Sequence, residues 1–179
     1  GPEVVLLDPS GVKKGSFSGL DTSRVITALE VAGGKIFAAD AGRRVVHRFA
    51  PDGTKELEFN GKTTEGSAHG FIVPSAHFDL AVNTFGDLWV VNPGKHALEE
   101  YTYDGNLRGY WFKSDAGIEG FTGCCNPARF AFLPGGNLIT SEKGVLRVKE
   151  YKPSGELVGV VAAPDLFTQG QKAPDVSCD

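Results

Sequence analysis

The sequence predicts an all-β protein: a β-propeller of four-stranded antiparallel blades, with three full blades and partial blades flanking them. Three observations predict it. First, a 20-residue unit recurs without gaps as GKIFAADAGRRVVHRFAPDG (34–53), GDLWVVNPGKHALEEYTYDG (86–105) and GNLITSEKGVLRVKEYKPSG (136–155). Its closing glycines fall at 53, 105 and 155, spacings of 52 and 50 residues, which is the range of propeller blades rather than of helical repeats. Second, each unit reads as short apolar runs separated by Gly, Pro, Asn and Asp turns, with little helical periodicity. Third, the chain is rich in turn formers (24 Gly and 10 Pro) and contains no Met, which suits short strands better than long helices.

The elements follow in chain order. Residues 4–19, VVLLDPSGVKKGSFSG, read as the last two strands of a blade whose first strands are missing. The first full blade spans roughly 23–60. Its strands are VITALEVA, KIFAAD, VVHRF and KELEF, with GG, AGRR and PDG as the turns between them. KELEF alternates, as an outermost strand half-exposed to water should. The second blade, roughly 75–113, opens with FDLAVN, and the third, roughly 126–162, opens with RFAFL. Residues 172–179, KAPDVSCD, read as the start of one more first strand. Gly1 and Pro2 read as the remnant of a cleaved tag, so one domain over 3–179 is expected. Closed propellers have about four to eight blades. Three blades and two partial ones imply a fragment, or a ring completed by another copy or another chain.

Within the unit, the ninth place is always Gly (Gly42, Gly94, Gly144), expected in equivalent turns with positive φ. The seventh is short and polar or acidic (Asp40, Asn92, Glu142), expected to cap the following turn through backbone N–H groups. The sixteenth is aromatic (Phe49, Tyr101, Tyr151).

This pattern of apolar strand, Gly turn and GxxRhxxFxxxG resembles NHL-type repeats over nearly the whole chain. The middle of the chain is similar, more specifically, to exported bacterial NHL-repeat propellers, in which the GCCNP and SEKG stretches occur together and a further cysteine precedes the pair. Thr122 stands at that place here. The resemblance implies a ring of six blades, a periplasmic or extracellular location, and a scaffold that binds a protein or small ligand. Arg147 matches the arginine of the pattern, where it pairs with neighbours in its blade.

The net charge of −4 gives no electrostatic case for nucleic acid, and no apolar run approaches the length of a membrane span. Three cysteines are too few for a disulfide framework. Adjacent Cys124 and Cys125, in FTGCCNPARF, fall in the loop leading into the third blade's first strand, where a rigid scaffold presents function. They fit structural thiols, a disulfide (vicinal or with Cys178), a metal or iron–sulfur ligand set, or a nucleophile. Cys178 itself reads as a small core residue. His69 and His77 lie in the long loop before the second blade, on the same expected face. With a carboxylate such as Asp79 or Glu142 they would suit zinc. His47 and His96 read as exposed or half-buried, Trp89 as core, and Trp111 as a surface aromatic. No serine-hydrolase elbow, phosphate loop or metalloprotease motif occurs, and no cofactor is named by the sequence. The candidate binding set is His69, His77, Cys124, Cys125, Asn126, Glu142, Lys143 and Arg147. The alternative to a binding scaffold is a metal-dependent or redox-active module at the mouth of the channel, using the Cys124–Cys125 loop.

Overall fold

The computed structural model describes residues 4–62, 70–168 and 170–178. A short hairpin pairs β1 (Val5–Leu7) with β2 (Lys13–Ser16). Three four-stranded antiparallel sheets follow, each a meander in chain order. The first holds β3 (Ile26–Ala32), β4 (Lys35–Asp40), β5 (Val45–Phe49) and β6 (Lys55–Phe59). The second holds β7 (Leu80–Val82), β8 (Leu88–Asn92), β9 (Ala97–Tyr101) and β10 (Leu107–Phe112). The third holds β11 (Arg129–Phe132), β12 (Leu138–Glu142), β13 (Arg147–Tyr151) and β14 (Leu157–Ala162). The middle pairing keeps one register throughout: Ala38 opposite His47, Val90 opposite Glu99, and Thr140 opposite Lys149.

Turn chemistry sets this repeat. Gly33 and Gly34 both have positive φ and close the two-residue β3–β4 hairpin. The closing glycines Gly53, Gly105 and Gly155 all adopt the left-handed region, each donating its N–H to the carbonyl three residues back. The ninth-place glycines depart from expectation. Gly144 is left-handed, but Gly42 and Gly94 are not, and the left-handed residues of those two turns are Arg44 and His96. Space, not φ, selects glycine there. A Cβ on Gly42 would lie 2.3 Å from the Ser23 carbonyl oxygen, and one on Gly94 would lie 2.3 Å from the Ile72 side chain.

Side-chain alternation places the cores between blades. In β8, Leu88 and Val90 face the first blade, packing with Phe37, Ala39, Val46, Phe78 and Tyr101. Trp89 and Val91 face the third blade, packing with Phe130, Leu138 and Tyr151. Trp111 belongs to this second core and is not the surface aromatic expected. It lies 5.3 Å from the Tyr151 ring, over Gly155, where a Cβ would come within 2.8 Å of the indole. The outer strands β6, β10 and β14 alternate half-buried and exposed residues along most of their length, as their sequence implies.

The inner strands β3, β7 and β11 lie side by side. Thr27 donates to the Phe78 carbonyl at 2.5 Å, Arg129 donates to the Thr27 carbonyl at 3.0 Å, and the Phe130 N–H donates to Asp79 at 3.0 Å. Residues 172–178 form no strand, contrary to expectation. Pro174 has no N–H to give a ladder. Its carbonyl instead accepts a bond from the Ser141 hydroxyl at 2.6 Å.

Candidate functional site

In each blade the loop leading into the innermost strand meets the turn between the second and third strands. The contacts are Asp40 with the Val25 N–H, Asn92 with the Ile72 N–H, and Asn126 with Lys143. These loops share one face of the molecule. On that face the third blade's loop is fixed by Asn126, which is buried. Its Nδ2 donates to the Thr122 and Lys143 carbonyls at 2.5 and 3.0 Å, and its Oδ1 accepts from the Lys143 N–H at 2.9 Å. The His96 ring contacts the Gly123 carbonyl from the second blade's turn.

Cys124 and Cys125 sit in this pinned loop as free thiols, their sulfurs 3.2 Å apart. Cys124 is exposed and Cys125 is 1% exposed. Lys143 reaches across the blade boundary to the Ser75 hydroxyl at 3.2 Å. Burial pushes the Cys125 thiol up, but hydrogen bonds with Ser75, Cys124 and the Lys143 ammonium outweigh it, so its pKa lies below the ordinary thiol value. His77 lies two residues from Ser75. Burial pushes its pKa down, and the charges of Lys143 and Arg129 add to that; its Nδ1 is buried without a hydrogen-bond partner. Of the expected site residues, the structure thus gathers Cys124, Cys125, Asn126 and Lys143, with His77 beside them. His69 lies outside the described residues.

Glu142 and Arg147 belong to a separate buried cluster. Arg147 holds Glu142 through two bonds of 2.8 and 2.9 Å, and Lys149 approaches the same carboxylate at 2.9 Å. Both cations also donate to the Gly120 carbonyl, and Lys149 lies 4.7 Å from the centre of the Phe121 ring. The surplus positive charge is taken up by loop carbonyls and aromatic faces.

This cluster is one instance of a repeated feature. The seventh place pairs with the fourteenth in every blade: Asp40 with His47 at 3.1 Å, Asn92 with Glu99 at 2.9 Å, and Glu142 with Lys149. Asp40 caps the turn that follows, accepting the Arg43 N–H at 3.2 Å, whereas Asn92 makes no such bond, contrary to expectation. Asp40 and Asn92 also capture the N–H of the incoming loop, and all three are fully buried. His47, expected to be at least half-exposed, has no exposure, because its strand is covered on both faces. The signal for this pair was a polar or charged residue at the fourteenth place in all three copies.

A second region lies between the inner strands. A cavity of about 340 Å³ is lined by Glu30, Asp79, Phe130, Phe132, Asp175 and Cys178, among others. Cys178 is half-buried here, not part of the core. Burial raises the Asp79 carboxyl to about 6, against the Phe130 hydrogen bond and the charge of Arg129. Burial also raises Glu30. Among the described residues, no three His, Cys, Asp or Glu side chains converge as a metal site. No helix among them is long and apolar enough to cross a membrane.

No family model matches the chain, and no curated protein matches it. Solved structures do. A virginiamycin B lyase from Staphylococcus aureus, in an inactive form with quinupristin, superposes with a TM-score of 0.63 at 13% identity, over 87% of this chain and 47% of that one. Hydrazine synthase from Kuenenia stuttgartiensis gives 0.63 at 16% identity, over 89% and 43%. A chain of a nidogen–laminin complex gives 0.58 at 13% identity, over 95% and 59%. The chain thus spans about half the length of the structures it resembles. At these identities the likeness concerns the fold alone, and with three consecutive four-stranded antiparallel blades it establishes that fold as a β-propeller.

Proposed function

We propose that this chain is an NHL-type propeller scaffold, exported to the periplasm or beyond, that binds a protein or small ligand on the face carrying the lead-in loops. One observation carries the reading. Polar groups from two blades, Ser75 and His77 from one and Cys124, Cys125 and Lys143 from the other, converge where loops stand on a rigid frame. Cross-blade convergence of this kind is how a propeller assembles a site from separate blades. Two structures with the same fold lend support by analogy of fold, one described with quinupristin and one a chain of a nidogen–laminin complex.

The test is chemical cross-linking of the protein in its native source, followed by mapping of the linked residues. Cross-links concentrated on residues 72–77, 93–96, 122–127 and 143–145 are expected. Cross-links confined to the opposite turns, 83–87 and 133–137, would overturn the choice of face. Cell fractionation tests the location: recovery in the cytoplasm alone would overturn export.

A further inference from the structure

The Cys124–Cys125 pair differs from the other polar groups of the fold in its chemistry. Two thiols stand 3.2 Å apart, one exposed and one buried, in a loop pinned by Asn126 and contacted by His96. The buried sulfur has a cation and a hydroxyl as neighbours, Lys143 and Ser75, both supplied by other segments. Cys178 lines the cavity between the inner strands, whose lining includes neither cysteine of the pair.

We infer that Cys124 and Cys125 form a thiol–disulfide exchange site that accepts small disulfides, with Cys124 as the attacking thiol and Cys125 as the resolving one. The roles follow from access and charge. A disulfide of formula RSSR can reach only the exposed sulfur. The Cys124 thiolate attacks one sulfur of RSSR, the S–S bond breaks, and RS⁻ leaves, giving a mixed disulfide on Cys124. The Cys125 thiolate then attacks the Cys124 sulfur and expels the second RS⁻. The two protons given up by the protein thiols end on the two RSH products. The protein loses two electrons and RSSR gains them.

Lys143 is a positioning residue in this scheme. Its ammonium, with the Ser75 hydroxyl and the Cys124 thiol, favours the Cys125 thiolate. The product is an eight-membered ring across one peptide bond. Its Cα separation of about 3.8 Å lies below the usual disulfide range of about 4.4–6.8 Å, which makes such a bond easy to reduce and the site reversible. Oxidation would remove a thiolate from beside Lys143 and leave this patch more positive.

The experiment incubates the full, reduced chain with glutathione disulfide, quenches with acid, blocks with N-ethylmaleimide, and maps peptides by mass. Wild type should lose two hydrogen atoms within the 124–125 peptide. Cys125→Ser should stop at one glutathione on Cys124, and Lys143→Gln should move the pH midpoint of ring closure upward. A wild type that stops at the mixed disulfide, carries glutathione on both sulfurs, pairs through Cys178, or does not react would overturn the site. An unchanged midpoint in Lys143→Gln would overturn the role of that residue. If Cys125→Ser fails to fold, phenylarsine oxide on wild type decides. It should bind one per chain, bridging both sulfurs with release of water and protecting both from N-ethylmaleimide. Protection of neither or of only one would overturn the proposal.

Discussion

Nε2 of His47 lies 3.1 Å from Oδ2 of Asp40, and neither side chain reaches solvent. Burial pushes the His47 pKa down, the charge of Lys55 adds to this, and the Asp40 bond pushes back. The unfolded histidine binds its proton near about pH 6.5, whereas the folded one does so only at lower pH. Below that value the unfolded chain takes up more protons, so this contribution to stability is complete above about pH 6.5 and is lost as pH falls. His77 acts with the same sign. His47→Gln should flatten the fall in urea midpoint between about pH 7 and 5 and cost about 1–2 kcal/mol at neutrality. A slope equal to wild type would show that His47 is not the titrating group.

Asp79 works in the opposite direction. Its carboxyl is raised to about 6, so between about pH 4 and that value the folded state holds a proton the unfolded state has lost. Its stabilising contribution is present at low pH and is lost as pH rises through about 6. Asp79→Asn keeps an acceptor for the Phe130 N–H. Its stability relative to wild type should improve on going from about pH 4 to 7, by at most about 3 kcal/mol. Denaturation of both proteins across that range is the measurement.

The buried cluster of the third blade predicts an order of damage. Glu142→Gln leaves Arg147 and Lys149 without their counter-charge and should cost about 3–5 kcal/mol. Lys149→Met keeps the two-bond Arg147–Glu142 pair and the Arg147 bond to the Gly120 carbonyl, and mainly leaves the Ile118 carbonyl short of a donor, which should cost about 1–3 kcal/mol. Equilibrium unfolding in urea tests the order, and equal losses would show that the charge balance is not what holds the 117–121 loop.

The ninth-place glycines should respond differently to alanine. Gly94→Ala drives a methyl into Ile72 and should cost about 2–3 kcal/mol. Gly144→Ala meets open space and bears only left-handed strain, about 1–2 kcal/mol, much of which Gly144→Asn should recover. Thermal unfolding of the three variants is the check.

The blades are legible in the repeat alone. Strand alternation and turn glycines act through φ and through side-chain period, which are local, so the outer strands and the opening and closing turns were legible in the repeat. The same repeat carried the seventh-to-fourteenth pairing in plain view, as Asp40 and His47, Asn92 and Glu99, Glu142 and Lys149. The repeat does not show that these pairs are buried, because burial of a polar residue depends on the sheet packed over it, not on its own strand. Gly42 and Gly94 show the limit from the other side: the repeat suggests a φ requirement, yet it is an earlier segment, the Ser23 carbonyl for one and the Ile72 side chain for the other, that demands the space. For the candidate site, the sequence placed the cysteine pair on a lead-in loop. Which sulfur is buried, and that Lys143 of one blade meets Ser75 of another, depends on how the blades pack. Thiol reactivity is set by charge and solvent within a few ångströms, and those neighbours are Lys143 from a turn of the same blade and Ser75 from the preceding one, brought together by the stacking of one blade against the next.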